Sequence, residues 1–230
     1  MNIKVIIPAL NEAEAIAMVI ADLPKNMVNE VVVVDNGSTD NTSEVAKKAG
    51  ATVLHEANKG YGNACLKGIA YLRSIADKEI IDIVVFLDAD YSDYPNELPL
   101  VVAPIINNNC DMVIGSRINA NLEQGAMTIP QRFGNWLSAV LLKYLYGANF
   151  TDLGPFRAIK WEALLALNME DENFGWTVEM QAKAAKQGLK CEEVSVSYRK
   201  RGGGKSKVSG TVKGTFLAGY KILYTLYKLR

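Results

Sequence analysis

The fold of this chain can be predicted outward from one stretch, Val84-Val85-Phe86-Leu87-Asp88-Ala89-Asp90. An uninterrupted apolar run of this kind is typical of a strand that is buried on both faces of a parallel sheet. In open α/β sheets, ligands bind just beyond the carboxyl ends of such strands. Asp88 and Asp90 therefore follow the strand at the point where a ligand is expected.

Two interpretations of these acids are open from the triplet alone. Asp88 and Asp90 can converge on one hard cation whose other positions take diphosphate oxygens, because Mg²⁺ is usually held by one or two carboxylates and substrate phosphates. Alternatively, the triplet forms only a turn with a helix cap, positions that Asp favours on its own account. The choice between them depends on the rest of the chain.

Composition limits the kind of protein this can be. With 230 residues, 49% of them hydrophobic, the chain is long enough for one α/β domain with a sizeable core. Lys plus Arg and Asp plus Glu both number 25, so no overall charge favours a nucleic-acid partner. Three widely spaced cysteines and one histidine argue against a zinc site or a disulfide framework. We expect a cytoplasmic protein without a signal peptide or a transmembrane helix.

Short apolar runs alternate with helical patterns along the first half of the chain. Strands are predicted at 4–9, 31–34, 51–54, 81–87 and 111–115. Helices are predicted after Asn11-Glu12 through about residue 23, at 42–48 and at 61–75. This alternation predicts right-handed crossovers and a mostly parallel α/β sheet with helices on both faces.

Polar or small residues follow each of the first four strands. They are Asn11-Glu12, Asp35-Asn36-Gly37, residues 55–60 and Asp88-Ala89-Asp90. Because the carboxyl ends of parallel strands meet at one edge of a sheet, these four sets are expected to form one ligand crevice. Each set taken alone is also compatible with an ordinary turn, and residues 58–63 lack the G-x-G-x-x-G spacing of a dinucleotide site.

Four longer motifs contain these strand ends. They are Pro8-Ala9-Leu10-Asn11-Glu12, Val34-Asp35-Asn36-Gly37-Ser38-Thr39-Asp40, Asn58-Lys59-Gly60-Tyr61-Gly62-Asn63-Ala64 and Leu87-Asp88-Ala89-Asp90. In this order they resemble the family 2 inverting glycosyltransferases of the GT-A (Rossmann-like) fold. Later segments are similar to the dolichyl-phosphate mannose synthase, or polyprenyl-phosphate glycosyltransferase, branch of that family: Gly115-Ser116-Arg117, Gln131-Arg132-Phe133, Asp152-Leu153-Gly154-Pro155-Phe156-Arg157 and the basic segment 197–207.

The resemblance implies a metal-dependent transfer of a sugar from a UDP- or GDP-linked donor to a polyprenyl or dolichyl phosphate. Asp88 and Asp90 would hold Mg²⁺ or Mn²⁺ against the donor diphosphate, where the ion offsets the charge on the leaving nucleoside diphosphate. The residues that the resemblance places beside the nucleotide are Pro8, Ala9, Asn11, Glu12, Asp35, Gly37, Lys59, Gly60, Asp88, Ala89 and Asp90.

Cations in the second half of the chain are the candidates for phosphate binding. Arg117 follows a strand end and Arg132 opens a helical segment, and both are assigned to the acceptor phosphate. Segment 198–207 combines Arg and Lys with Gly, which suits a phosphate clamp that closes as a loop. From it, Arg199, Arg201 and Lys205 are assigned to the acceptor and the diphosphate. A solvated basic loop is the alternative.

Glu179 is the remaining candidate at the catalytic centre. It lies near the start of a predicted helix and is expected to contact the sugar or to orient the acceptor. An acid in the first turn of a helix is also favourable because of the helix dipole, so this second explanation stays open.

Two apolar segments bear on membrane binding. Residues 136–146 and 216–227 contain several aromatic residues and are punctuated by Lys, which suits helices lying in the plane of a membrane surface. Packing on the sheet or in a dimer is the alternative. We expect a glycosyltransferase domain at 1–210 and an amphipathic C-terminal helix at 211–230, with peripheral attachment to the cytoplasmic face of a membrane as an open question.

Two other functions compete with sugar transfer. A sugar-1-phosphate nucleotidyltransferase would use a similar crevice and metal, but a Gly-rich, Arg-containing loop should follow its first strand, and Pro8-Ala9-Leu10-Asn11-Glu12 is not such a loop. A catalytically silent module that only binds a nucleotide sugar is the other alternative, and it would show no metal-dependent transfer.

Overall fold

A single mixed sheet organises the protein in the computed structural model, which describes residues 1–118, 122–203 and 212–230. Its strands are β1 (Ile3–Ala9), β2 (Val28–Asp35), β3 (Thr52–His55), β4 (Ile83–Phe86), β5 (Met112–Ser116), β6 (Arg157–Lys160) and β7 (Cys191–Ser195). The α-helices are α1 (Ile16–Asp22), α2 (Thr42–Lys48), α3 (Tyr61–Ile75), α4 (Leu98–Ile106), α5 (Ile129–Tyr146), α6 (Trp161–Leu167), α7 (Trp176–Lys186) and α8 (Val212–Lys228).

The strands lie in the order β3-β2-β1-β4-β6-β5-β7. β1 pairs in parallel with β2 and β4, β2 pairs in parallel with β3, and β5 pairs in parallel with β7. β6 is antiparallel to both of its neighbours, β4 and β5. The predicted mostly parallel α/β sheet is therefore confirmed, and the sequence pattern did not predict the antiparallel insertion.

The two faces of the sheet are covered by different helices. Successive side chains of a strand point to opposite faces. Val5 and Ile7 of β1 accordingly pack in the core that contains residues of α1 and α4, whereas Ile6 packs in the core that contains residues of α3 and α7. This explains why the central strands are apolar throughout rather than alternating.

The register of the strands brings the carboxyl ends of β1, β2, β3 and β4 to one edge. Ala9 lies opposite Asp35, and Asp35 lies opposite His55. Because β6 runs in the opposite direction, its first residue, Arg157, lies opposite Phe86 at the end of β4. Loops that follow four strands and the loop that precedes β6 therefore share this edge.

Two predicted helices agree with the structure at both ends, and the first helix lies within its predicted range. α2 and α3 span the predicted ranges 42–48 and 61–75. α1 follows Asn11-Glu12 as predicted and spans Ile16–Asp22. Asn11 has a left-handed φ of 52° and lies outside the helix, and the carbonyl of Glu12 accepts the N–H groups of Ala15 and Ile16.

The C-terminal helix α8 packs against α5 and α7. The Tyr146 hydroxyl donates to the Leu226 carbonyl at 2.8 Å, and the Lys221 ammonium lies 3.1 Å from the Asp171 carboxylate. The predicted division at residue 210 falls outside the described residues and stays a prediction. None of the helices that can be described here has the length and apolarity needed to span a membrane.

Candidate functional site

Asp88 and Asp90 lie in the loop directly after β4. The Tyr61 hydroxyl, at the start of α3, donates to Asp88 Oδ1 at 3.0 Å. Burial, together with the negative charge of Asp90, raises the pKa of Asp88 to about 7. Two neighbouring carboxylates that are both partly buried repel each other, so a cation bound by both would be stabilising.

The loops after β1, β2 and β3 are joined to one another beside these acids. The Asn11 N–H donates to the Ser38 hydroxyl at 2.9 Å, and the Thr39 N–H donates back to Asn11 Oδ1 at 2.7 Å. The Asn36 amide donates to the Asn58 carbonyl at 2.7 Å and accepts the Gly60 N–H at 2.7 Å. The crevice predicted from the strand ends is therefore a hydrogen-bonded assembly of loops.

Asp35 is engaged within its own loop. Its carboxylate accepts the Ser38 N–H at 2.8 Å and the Ser43 hydroxyl. Burial acts to raise the pKa of Asp35, but these hydrogen bonds outweigh it and lower the pKa below the usual 3.8. Asp35 thus stays ionised at the edge of the crevice.

The helix α3 approaches the crevice through two glycines. A Cβ on Gly60 would lie 2.1 Å from the Glu172 carbonyl oxygen, and a Cβ on Gly62 would lie 1.8 Å from the Asp171 carbonyl oxygen. Only glycine permits this contact with the loop that precedes α7. The close approach fixes the first turn of α3, and with it the Tyr61 hydroxyl that binds Asp88.

Arg201 reaches the acids from the C-terminal part of the chain. Its Nη2 lies 3.0 Å from Asp90 Oδ2 and 2.9 Å from Glu12 Oε1. The structure thus brings together Glu12, Asp90 and Arg201, which the sequence separates by up to 189 positions. Positive charge is accommodated beside Asp90 in this arrangement.

The acids fit a divalent ion of the Mg²⁺ or Mn²⁺ type. Both side chains offer hard oxygen donors, and the pKa of Asp88 is raised by burial and by the charge of Asp90 even though Arg201 pairs with Asp90. Within the described ranges, no group of three or more His, Cys, Asp or Glu side chains could hold a metal by itself. The remaining ligands would come from a bound diphosphate and water, as is usual for Mg²⁺.

Arg199 is held by the loop that follows Asp90. Its guanidinium donates to the carbonyls of Tyr91 and Asp93 at 2.7 and 3.3 Å. It also stacks on two aromatic rings, with its Cζ 3.4 Å from the Tyr91 centroid and 4.0 Å from the Tyr94 centroid. Arg199 therefore anchors the C-terminal segment to the loop that follows Asp90, while the phosphate contact assigned to it stays a prediction.

Arg117 is held by a buried carboxylate. Asp152 accepts the Arg117 backbone N–H at 2.7 Å, Nε at 2.9 Å and Nη2 at 2.7 Å. Burial acts to raise the pKa of Asp152 and to lower that of Arg117, but their mutual attraction shifts both pKa values the other way. The pair is ionised, and it fixes the direction of the guanidinium after β5.

The other predicted site residues are placed as follows. Glu179 is buried, accepts the N–H groups of Glu170 and Asp171 at 3.0 and 2.7 Å, and pairs with Lys183. It therefore supports the loop against which α3 packs, and its predicted contact with sugar or acceptor stays a prediction. Arg132 is exposed in the first turn of α5. Lys205 lies outside the described residues.

The residues that were predicted to lie beside a nucleotide are placed at or near the edge where β1 to β3 end. Pro8 and Ala9 end β1, Ala89 is buried between the two acids, and Gly37 and Lys59 are exposed in the loops after β2 and β3. Gly37 has a φ of 81°, which explains why a glycine stands in that turn.

Sequence reasoning missed three side chains at this site. Tyr61 and Asp152 stand in motifs that were recognised, but nothing local shows that they bind Asp88 and Arg117. Asp93 is buried, and neither carboxylate oxygen has a hydrogen-bond partner among the residues that the structure describes. Burial raises the pKa of Asp93 well above its usual value. The sequence signal that could have identified Asp93 is its position as a third acid shortly after Asp88 and Asp90.

Two proteins similar in sequence to this chain are named glycosyltransferase or hexose transferase. The chain is 35% identical over 217 residues to an uncharacterised glycosyltransferase of Mycobacterium tuberculosis, covering 94% of each chain. It is 34% identical over 207 residues to the dolichyl-phosphate hexose transferase of Haloferax volcanii, covering 88% of this chain and 85% of that one.

Among solved structures, it is similar to the glucosyl-3-phosphoglycerate synthase of Mycobacterium tuberculosis in complex with Mn²⁺, UDP and glucosyl-3-phosphoglycerate. The TM-score is 0.79 at 22% identity, over 99% of this chain and 79% of that one, and this likeness shows the fold. The sequence profile of glycosyl transferase family 2 matches residues 4–165. The chain therefore belongs to glycosyl transferase family 2, and it is a glycosyltransferase with the GT-A fold.

Proposed function

We propose that this glycosyltransferase moves a sugar from a nucleotide-sugar donor to a polyprenyl phosphate, with Mg²⁺ or Mn²⁺ bound by Asp88 and Asp90. The observation that carries the donor half is the partly buried acid pair at the sheet edge, where the pKa of Asp88 is raised to about 7. An acid with a raised pKa at the end of a central strand is characteristic of a functional site rather than of a stabilising turn.

The donor diphosphate would lie between the acids and the C-terminal basic segment. When bound, the divalent ion offsets the negative charge that develops on the departing nucleoside diphosphate. Glu12 and Asp90 hold the Arg201 guanidinium at this position, so its remaining N–H groups are available to phosphate oxygens. The loops joined through Asn11 and Asn36 would border the nucleoside.

The acceptor half is supported by two arginines and by a relative. Arg117 is fixed by Asp152, so its guanidinium needs little reorganisation to bind a phosphate. Arg132 is exposed on α5 and can approach the same ligand from solvent. A phosphate oxygen is already anionic near neutral pH, so this acceptor requires positioning and charge neutralisation rather than a general base. The similarity to the dolichyl-phosphate hexose transferase of Haloferax volcanii supports this acceptor class.

Peripheral membrane binding is part of the proposal, because it would bring the enzyme to a lipid acceptor. Five large apolar residues of α5 are between 43% and 84% exposed: Ile129, Phe133, Trp136, Val140 and Tyr144. Their spacing places them on one stripe of the helix. α5 also contains Arg132 and Lys143 but no acid, which suits an anionic membrane surface.

Transfer assays test the donor and acceptor halves together. The purified enzyme is incubated with Mn²⁺, undecaprenyl phosphate and either UDP-glucose or GDP-mannose, and glycolipid is measured. Asp90→Asn should reduce transfer by at least about a hundredfold, because it removes charge stabilisation of the leaving group. Asp111→Asn, at the other end of the sheet, is the matched control. Transfer that is unaffected by Asp90→Asn and by EDTA would contradict the proposal.

Liposome flotation tests the membrane part. The wild type should float with anionic vesicles, and a Phe133→Ser, Trp136→Ser double variant should stay in the soluble fraction while keeping its far-UV circular dichroism. Wild-type protein that does not float, or a double variant that floats equally well, would contradict membrane binding through α5.

A further inference from the structure

One amino group of Arg201 makes both of the ion pairs at the acid site. Nη2 lies between Glu12 Oε1 and Asp90 Oδ2, at 2.9 and 3.0 Å. The other two nitrogens, Nε and Nη1, are buried and have no hydrogen-bond partner within the described part of the chain. The guanidinium is therefore anchored on one side and has unsatisfied donors on the other.

The backbone around Arg201 is tied to the same loop as the acids. The Gly202 N–H donates to the Asp90 carbonyl at 2.9 Å, and the Arg199 N–H donates to the Ser92 carbonyl at 2.9 Å. Gly203 lies so close to Glu14 that a Cβ would be 2.6 Å from a carboxylate oxygen. These contacts limit how far the Arg201 side chain can move from Asp90.

Asp90 is also a carboxylate that the divalent ion would use. An ion that binds Asp90 alone must displace Nη2, and the displaced guanidinium would be left buried with fewer acceptors, which is costly. If a diphosphate arrives with the ion, its oxygens can accept from Nε, Nη1 and Nη2 together. Charge-assisted bonds of that kind are among the strongest that Arg forms.

We propose that Arg201 makes binding of the divalent ion conditional on a diphosphate, so that the site prefers the ion with its nucleotide over the ion alone. Arg201 is thus a specificity-determining residue that acts through Asp90. The inference rests on the proposed function, because it requires Asp90 to bind the ion. By thermodynamic reciprocity, the ion must strengthen nucleotide binding by the same factor.

Binding measurements on the protein without substrate test this inference. Free Mn²⁺ is followed by electron paramagnetic resonance in titrations without nucleotide, with UDP and with GDP. In Arg201→Gln, Mn²⁺ alone should bind at least about fivefold more tightly than in the wild type, since no guanidinium competes for Asp90. The factor by which the better nucleotide strengthens Mn²⁺ binding should fall by at least about tenfold.

Lys200→Gln is the matched control. It removes the same charge from the neighbouring position, where the side chain is 61% exposed and pairs with Glu123 at 3.7 Å. Both Mn²⁺ affinities should stay at the wild-type values. An equal change in this control would show a general effect of net charge and would overturn the inference.

The remaining outcomes separate the inference from the proposed function. If the wild type binds Mn²⁺ with nucleotide but Arg201→Gln binds free Mn²⁺ no more tightly, the inference is wrong and the donor site stands. If the wild type binds Mn²⁺ with neither nucleotide, both are wrong. Arg201→Lys keeps the charge but loses the planar fork, so it should show reduced coupling, and it carries the test if Arg201→Gln does not fold.

Discussion

Asp152→Asn should destabilise the protein by about 3–5 kcal/mol, the usual effect of removing one partner from a buried ion pair. Asp152 is completely buried and accepts three N–H donors of Arg117. A carboxamide offers one acceptor oxygen in place of two, so at least one donor would face an NH₂ group. The Arg117 guanidinium would also remain charged in a buried position without its counter-ion.

Urea unfolding followed by the fluorescence of the buried Trp161 and Trp176 measures this difference. The folded-state pKa of Asp152 is lowered below its usual 3.8, so the stability from the pair is present above about pH 4 and is lost as the pH falls through the folded-state value. The difference between wild type and Asp152→Asn should therefore be equal near pH 5 and near pH 7, and it should shrink only in stronger acid.

Glu44→Gln is the control, because Glu44 pairs with Lys48 at 2.6 Å on an exposed helix face. We expect no resolvable change in the free energy of unfolding for that variant. A loss below about 1 kcal/mol for Asp152→Asn, or a difference that grows between pH 5 and pH 7, would refute the assignment of a buried, ionised pair.

Three further perturbations test other parts of the site. Burial raises the pKa of Asp88 to about 7, so the ionised carboxylate destabilises the folded protein at higher pH. Asp88→Asn, measured in EDTA, should therefore increase the free energy of unfolding near pH 8 by up to about 4 kcal/mol, and urea titrations should show that this gain vanishes towards pH 4. Gly62→Ala should cost at least about 2 kcal/mol in urea unfolding, because its Cβ would lie 1.8 Å from the Asp171 carbonyl oxygen. Gly134→Ala, which meets nothing within 4 Å, should not destabilise. Thr225→Val should cost about 1 kcal/mol, because its hydroxyl donates to Asp171 at 3.2 Å, and limited proteolysis should then cleave α8 faster.

The N-terminal half of the fold, from β1 to β4, could be predicted because its sequence signals are local. Apolar runs such as the one that ends at Leu87 predict buried strands, and the residues that follow each run are polar. The rule that parallel strands end at one edge then places Asn11, Asp35 and Asp88 together without further information. The register of β1, β2 and β3 confirms that edge.

The contacts made by residues of the second half of the chain could not be predicted in the same way. Arg117 and Asp152 lie 35 residues apart, and Arg201 and Asp90 lie 111 residues apart, so no periodic pattern connects them. Arg199 was predicted to bind phosphate from the mix of Arg, Lys and Gly in its segment and from the family resemblance, and nothing in that segment indicated that it stacks on Tyr91 and Tyr94. Contacts between residues this far apart in sequence can be identified only in the folded structure.

The insertion of β6 between β4 and β5 has a consequence for biosynthesis. β2, β3 and β4 can pair as they leave the ribosome, since each has a neighbour among the strands already translated. β5 has no such neighbour, because its partners are β6 and β7, which are translated at least 40 residues later. Nascent chains that end before Arg157 thus carry a strand with two open edges, which is the form most exposed to aggregation and to chaperones.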